Sequence, residues 1–335
     1  MSYPIMFYNL ENLYDTIDDP RTNDEEFTPT GAKRWTPERY NKKLENLSQV
    51  FSAVASAYGG FPVAVGMSEV ENLKVLKDLA EQKRMRGAHY KAVHFESNDA
   101  RGVDVGFFYR PDKFTLMGCE PVKLVLRSGR EYIGRDILAA WGSIEGEMFI
   151  FYVCHFLSRR AGVNASQGFR RAGAETVRDH AEAMRGQYPD IKVVIMGDMN
   201  DTPSSKAKGA WWGSQFVNLM LPLQRDLRTH PSAFGSHKYH GQWGYLDQFI
   251  INREHAPSGV LESTTANRSE EAATAKGDTL RSLVFSAPRS FHLPFMLTDD
   301  VTHLGHRPAR SYMGYQYEGG YSDHLPILLD LDICF

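Results

Sequence analysis

The stretch that most constrains this chain is residues 191–203, IKVVIMGDMNDTP. Ile191 to Met196 form a short apolar run rich in β-branched residues, which reads as a buried strand. Gly197 halts it, and Asp198 and Asn200 follow on alternate positions, so both side chains can leave the strand end toward one side. Thr202 and Pro203 then turn the chain. A carboxylate and an amide at the mouth of a buried strand are expensive without partners, whereas a hard divalent cation and a phosphate would satisfy both. A polar turn after a core strand is the plain alternative, since Gly, Asn, Asp and Pro punctuate loops everywhere.

The pattern recurs. The apolar segment 3–10 opens onto Asn9, Glu11 and Asn12; the run 62–67 meets Ser68, Glu69 and Glu71; and MFIFYVC at 148–154 delivers His155, with Ser158, Arg159 and Arg160 close behind. YLDQFIIN at 245–252 holds Asp247 among apolar neighbours, where an isolated aspartate needs a cationic or donor partner. A last strand, Leu325 to Ile333, follows Asp323 and His324.

The connecting segments read as scaffold. Thr36, Pro37 and Glu38 make a helix start, and Tyr40, Leu44, Leu47, Phe51, Val54 and Tyr58 follow at helical spacing before Gly59-Gly60. Further helices are expected over Asn72 to about Arg84 and over 166–185. Tyr90–Phe95 and Val103–Tyr109 read as strands, and Val122–Leu126 with Ile137–Ile144 as an antiparallel pair turning at Ser128-Gly129. His230, His237 and His240 fit no metal-ligand spacing and read as loop residues; Trp211 and Trp212 suit either a core place or base stacking. Pro257 to about Asp278 reads as a surface excursion.

Composition narrows the function. With 335 residues, 42% hydrophobic and 24% charged, the chain can bury a sizeable core, and no linker divides it, so residues 1–335 are expected to form a single domain. A net charge of −3 provides no global field for a polyanion, so phosphate binding must be local. Three cysteines, Cys119, Cys154 and Cys334, suggest buried free thiols and not a disulfide framework. No export signal or apolar run of about 18 residues is present, so the default location is cytoplasmic, or secreted or periplasmic if a leader has been removed. No hydrophobic hairpin suited to docking on a membrane and no protein partner is evident, and a monomer is expected.

YNLENL, GMSEVEN, CHFLSRR, GDMNDTP, YLDQFII and YSDHLPILLDL, spanning residues 8 to 331, together resemble the endonuclease/exonuclease/phosphatase superfamily, relatives of pancreatic deoxyribonuclease and the abasic-site endonucleases. The resemblance implies an α/β (α+β) fold, a four-layered sandwich of two mainly antiparallel sheets packed face to face with helices outside. It implies a metal site at Glu69 with Asn9, Glu11 and the neighbouring Asp323. Asp198 would orient or deprotonate the attacking water, Asn200 would steady the phosphate, and His324 would sit at the scissile phosphate, oriented by Asp247. His155 stands where the deoxyribonuclease-like and phosphatase-like branches keep a histidine. The oxygen-rich ligand set suits Mg²⁺, with Mn²⁺ a substitute.

Beside these implied roles, Arg159 and Arg160 suit phosphate binding on the substrate side, because a guanidinium fork grips a phosphate through two donors. The expected activity is hydrolysis of a phosphodiester or phosphomonoester by activated water, on a phosphate-ester substrate, with nucleic acid among the candidates. The alternative is a catalytically silent phosphate- or nucleic-acid-binding module, although Glu69, Asp198, Asn200, Asp247 and His324 are all present.

Overall fold

Strand β1 (Ser2–Leu13) is buried on both faces: Tyr3, Ile5 and Phe7 enter one apolar cluster, and Met6, Tyr8 and Leu10 another. A period-two strand with no polar face has to lie inside a layered stack, and that decides the architecture. In the computed structural model, which describes residues 2–159, 162–203, 210–230, 233–257, 260–261 and 282–334, two sheets pack face to face.

In the first sheet β1 pairs in parallel with β2 (Ala64–Val70), and β4 (Asp104–Tyr109) and β3 (Lys91–His94) continue beyond it. On its other side β1 runs antiparallel to β19 (Ile327–Cys334), whose far edge takes β13 (Ser282–Phe285) and β14 (Arg289–Ser290). The second sheet has the order β5 (Thr115–Val122), β6 (Ile137–Ile144), β7 (Glu147–His155), β8 (Lys192–Asp198), β12 (Asp247–Asn252) and β9 (Phe216–Asn218). Only β7 and β8 are parallel there, so among the described residues each sheet has one parallel pair in an otherwise antiparallel ladder. Those two pairs place the ends of β1, β2, β7 and β8 on one edge of the sandwich.

Phe7, Phe107, Phe149, Phe151, Met196, Phe249 and Leu329 fill the space between the sheets. Helices α1 (Pro37–Tyr58) and α2 (Leu73–Ala80) cover the outer face of the first sheet through Leu44, Leu47, Phe51 and Leu76. Helix α3 (Val163–Gln187) covers the second through Val177 and Ala181, which lie over Ile150 and Ile195. Four layers result, as expected. Each fully buried side chain of this size stabilises the fold by about 1.5–3 kcal/mol.

Local signals account for the helix ends. Thr36 caps α1 by accepting from the Arg39 amide at 3.4 Å, Pro37 occupies its first turn, and Gly59 closes it at φ 71°. Asn72 caps α2 through the Val75 amide at 3.1 Å. This helix stops at Ala80, short of Arg84, and the chain continues in turns closed by the Gln82 carbonyl. The partner of β6 is Thr115–Val122 and not 122–126; the turn around Ser128-Gly129 closes a smaller loop with one bridge, Val125 to Glu131.

Trp211 and Trp212 take the core place of their two readings: both are buried beneath α3, with Trp212 stacked on Phe156. Cys154 is buried, but Cys119 is only partly so, because β5 forms the sheet edge. The hairpin of β15 (Leu297–Asp299) and β16 (His306–Pro308) leaves Val301 and Leu304 exposed at its tip. Most of the expected excursion at 257–278 lies outside the described residues. Among the described residues no helix is long and apolar enough to cross a membrane.

Candidate active site

Four non-glycine residues on the shared edge have left-handed backbone: Glu11 (φ 50°), Asn12 (φ 54°), Glu69 (φ 59°) and Asn200 (φ 48°). Each such residue stores on the order of 1–3 kcal/mol of strain, which the surrounding pairing must hold. The β1–β2 register slips between Asn9 and Leu13, and the β2–β4 register between Ser68 and Val70. Irregularities of this kind re-aim side chains at strand ends. The strands are regular where they build the core and distorted where the polar groups emerge.

The two sheets meet at Asn9 and Asp198, where the amide Nδ2 donates to Asp198 Oδ2 at 3.1 Å. Asp198 and Asp247 face each other across the β8–β12 ladder. Nδ1 of His324 donates to Asp247 Oδ2 at 2.7 Å, and its Nε2 lies 3.9 Å from Asp198 Oδ2. Burial alone would favour neutral His324, but the carboxylates of Asp247, Asp198 and Asp323 outweigh it and push its pKa up to about 10. Burial raises Asp198 to about 7 despite the attraction of His324.

Glu11, Glu69 and Asp323 line a polar cavity of about 210 Å³. Glu11 is not isolated there: Lys43 of α1 lies 3.7 Å away, Arg310 lies 3.5 Å away, and the Ser311 amide donates to it at 2.6 Å. Arg310 also pairs with Asp323. Glu69 accepts from the Asn12 amide at 2.9 Å and stands 3.8 Å from Arg101. Asn9 and these three carboxylates are oxygen donors of the kind a hard divalent cation takes, and the residues fit such an ion. Lys43, Arg310 and Arg101 stand beside Glu11, Asp323 and Glu69, so a divalent cation there would share these carboxylates with three basic side chains. Among the described residues, Glu11, Glu69 and Asp323 do not form a trio whose ligand atoms lie close enough to share an ion; the trios that do are Asp198–Asp247–His324 and His237–Asp323–His324. Both depend on His324, and a protonated imidazole has no lone pair to give.

His155 ends β7 beside Asp198, with Nε2 3.8 Å from Asp198 Oδ2 and 4.0 Å from Glu69 Oε1. Burial, followed by the cations Arg135, Arg101 and His324, holds its pKa well below the usual range, so these contacts join a neutral ring to carboxylates and are not ion pairs. Asn200 donates through Nδ2 to the Phe156 carbonyl at 2.9 Å and through its amide to Asp198 Oδ1 at 2.8 Å. Arg159 donates to the Asn200 carbonyl at 2.8 Å and pairs with Asp201, which Arg170 also holds at 3.3 Å. Its guanidinium therefore braces the loop after β8 and does not point alone at the cavity. Arg160 lies outside the described residues.

Five residues beyond the expected set stand at the site. Lys43 follows Tyr40 by three positions and precedes Leu47 by four, so helical spacing alone puts it on the apolar face of α1, a signal available in the sequence. Arg101, Arg135 and Arg310 come from loops with no such mark. His237, expected in a loop, begins β10 (His237–Tyr239), bridges to the His324 backbone and packs its ring 4.6 Å from that of His324. Burial lowers its pKa to about 4, so a neutral ring lies against the charged one.

Known proteins agree with this architecture. Human Nocturnin catalytic domain with bound sulfate is 14% identical, with a TM-score of 0.55 over 99% of this chain and 93% of that one. A mannosyl-6-phosphatase of Bacteroides thetaiotaomicron gives 13%, 0.54, 99% and 100%, and D. rerio TDP2 complexed with single strand DNA product gives 13%, 0.53, 99% and 99%. At such identities the likeness shows a shared fold. No curated protein sequence matches. The model of one sequence family does match, over residues 4–333, and by that match the chain belongs to the Endonuclease/Exonuclease/phosphatase family.

Proposed function

We propose that this chain is a divalent-metal-dependent phosphoesterase that hydrolyses a phosphodiester or phosphomonoester with an activated water. The observation that carries the reading is the buried line Asp247–His324–Asp198–Asn9, which sets an imidazolium donor and a carboxylate base around one point, opposite Glu69. Asp198, near 7, takes the proton of the attacking water at neutral pH. Nε2–H of His324 donates to a non-bridging phosphate oxygen, where charge builds in the transition state. Asn9 occupies one lone pair of Asp198 Oδ2 and so fixes the direction of the base. Asn200 and neutral His155 steady the phosphate from the side of β7, and Arg159 keeps the loop that carries Asn200 in place while adding positive potential.

Glu69, with Asn9, Glu11 and Asp323, holds Mg²⁺ or Mn²⁺, and such an ion supplies neutralisation of charge on the phosphoryl and leaving oxygens. The relatives named above include proteins described as a phosphatase and as a complex with a DNA product, which supports phosphate esters as the substrate class. A net charge of −3 favours a small ester or a single-stranded end over duplex DNA. The test is a magnesium-dependent screen across bis-nitrophenyl phosphate, sugar phosphates, inositol polyphosphates, sphingomyelin, RNA, plasmid DNA and abasic duplex. Hydrolysis of at least one, lost in EDTA and in Asp198→Asn, is expected; no turnover of any class with Mg²⁺ or Mn²⁺ overturns the reading.

A further inference from the structure

The cavity that Glu11, Glu69 and Asp323 line continues past them to an aromatic end. Its volume is about 210 Å³. One water needs only about 10–15 Å³ of such space, so room remains beyond an ion and the groups on it. The segment 310–314 joins the two ends: Arg310 and Ser311 stand by Glu11, while Tyr312 and Gly314 stand by Lys33. Phe27, Trp35 and Tyr312 build the aromatic wall, all three buried, with ring centroids 6.2, 6.4 and 5.9 Å apart.

Lys33 closes this end. Its Nζ lies 4.9 Å from the ring centroid of Tyr312, 5.5 Å from that of Phe27 and 5.0 Å from that of Tyr315, and donates to the Gly314 carbonyl at 2.6 Å. An ammonium has three donors, and the carbonyl takes one of them. The arginines of the cavity each stand by a carboxylate, Arg101 by Glu69 and Arg310 by Asp323 and Glu11. Among the described residues Lys33 has no carboxylate partner. Its backbone is held from both sides, since the amide donates to the Glu26 carbonyl at 2.9 Å and the carbonyl accepts from Tyr312 Oη at 2.9 Å and Arg39 Nη1 at 2.7 Å. The wall thus presents a fixed positive charge with donors to spare.

An in-line displacement puts the attacking and leaving oxygens on opposite sides of phosphorus. Asp198, which takes the proton of the attacking water, lies outside this cavity, whereas Glu69 lines it. The leaving group therefore departs into the cavity: the water oxygen bonds to phosphorus, the bond to the leaving oxygen breaks, and that oxygen takes a proton from solvent. We propose that the Lys33 end is the subsite for this leaving group, and that it takes an alcohol or phenol bearing a second anionic group, a carboxylate or a phosphate. The inference rests on the phosphoesterase reading of the site. The second anion pairs with Lys33 Nζ, and the carbon frame between the two anionic groups lies along Phe27 and Tyr312. A neutral alcohol leaves the ammonium unpaired and gains none of this charge-assisted bonding.

Two measurements on the Mg²⁺-loaded full chain test it. Calorimetric titration compares phenol, 3-hydroxybenzoate and 3-hydroxyphenylphosphonate as leaving groups, and kinetics compare phenyl phosphate with its 3-carboxy and 3-phosphono derivatives. The anionic phenols are expected to bind about tenfold or more tightly than phenol, and their esters to show a kcat/KM higher by a similar factor. The order of the two distinguishes a carboxylate from a phosphate as the preferred group. Lys33→Met, with folding checked by thermal melting, should abolish both preferences, and Lys33→Arg should keep them. Equal binding of phenol and the anionic phenols by wild type, or a preference that survives in folded Lys33→Met, overturns the proposal. Should Lys33→Met fail to fold, the wild-type preference and its loss in Lys33→Gln decide. Lys33-dependent binding of the anionic phenols in a protein that hydrolyses no phosphoester keeps the anion subsite and removes the phosphoesterase reading; hydrolysis with no such preference does the reverse.

Discussion

Asp247 and His324, 77 positions apart, meet in a buried hydrogen bond of 2.7 Å between Oδ2 and Nδ1. Asp247 opens β12 in one sheet and His324 precedes β19 in the other, so this contact and that of Asn9 with Asp198 tie the sheets together at the site. Because one carboxylate both orients the ring and holds its charge, the pair should be readable in titration.

The pKa of His324, about 10 in the fold, stands above the roughly 6.5 of an unfolded histidine. A raised value means that the stability it adds is complete below about pH 6.5 and is lost as pH rises through 10. In Asp247→Asn the midpoint of His324, followed by NMR, is expected to fall by more than one unit. An unaltered midpoint contradicts the pairing.

Activity of the metal-loaded protein should rise with pH as Asp198 ionises, with a midpoint below the value near 7 that the carboxyl has without a cation. Asp198→Asn should lose about 10²–10⁴ in kcat. Its melting temperature should stay within a few degrees of wild type, because Asn retains an acceptor for the Asn200 amide. Wild-type kcat in this variant rules Asp198 out as the base.

Removing the cation is expected to abolish turnover. Calorimetric titration with Mn²⁺ should show binding to wild type and weakened binding, by tenfold or more, to Glu69→Ala. Equal affinity in the two proteins places the ion elsewhere.

Lys43 and Glu11 are both buried, and burial drives both toward their neutral forms, lowering the pKa of the lysine and raising that of the acid. Lys43→Met should destabilise the protein by about 1–3 kcal/mol, since it removes one of the two cations beside the buried Glu11 carboxylate and leaves Arg310 and the Ser311 amide. Lys43→Met combined with Glu11→Gln should recover part of that loss in urea denaturation. A double variant as unstable as the sum of the singles shows that the two residues are not coupled.

At Gly197 an added Cβ would collide with the backbone carbonyl of Cys154 on the adjacent parallel strand. Gly197→Ala should therefore separate β7 from β8 at the point where His155 and Asp198 emerge. A loss of roughly 1–3 kcal/mol by denaturant melt, together with lower kcat, is expected. Wild-type stability and rate in this variant show that the strands can part there without consequence.

The residues at the six strand ends were legible because each stands directly after or before an apolar run, and burial of a short run is a local property. Asn9, Glu69, His155, Asp198, Asp247 and His324 could each be found in this way. Arg159 shows the limit of the method. Its nearness to His155 follows from a separation of four residues, but the sequence does not reveal that Asp201, 42 positions away, holds its guanidinium.

By itself, then, the sequence determined which segments are buried strands, which helices have one apolar face, and which polar groups stand at strand ends, since these depend on neighbours within a few residues. Only the tertiary structure decided that β1–β2 and β7–β8 pair in parallel, and with them which edge the polar ends share. It likewise decided that Lys43 and Arg310 offset Glu11 and Asp323, and that His237 lies on His324. Those outcomes depend on which distant segments satisfy one another's hydrogen bonds and charges, a choice made by the whole chain as it buries its core.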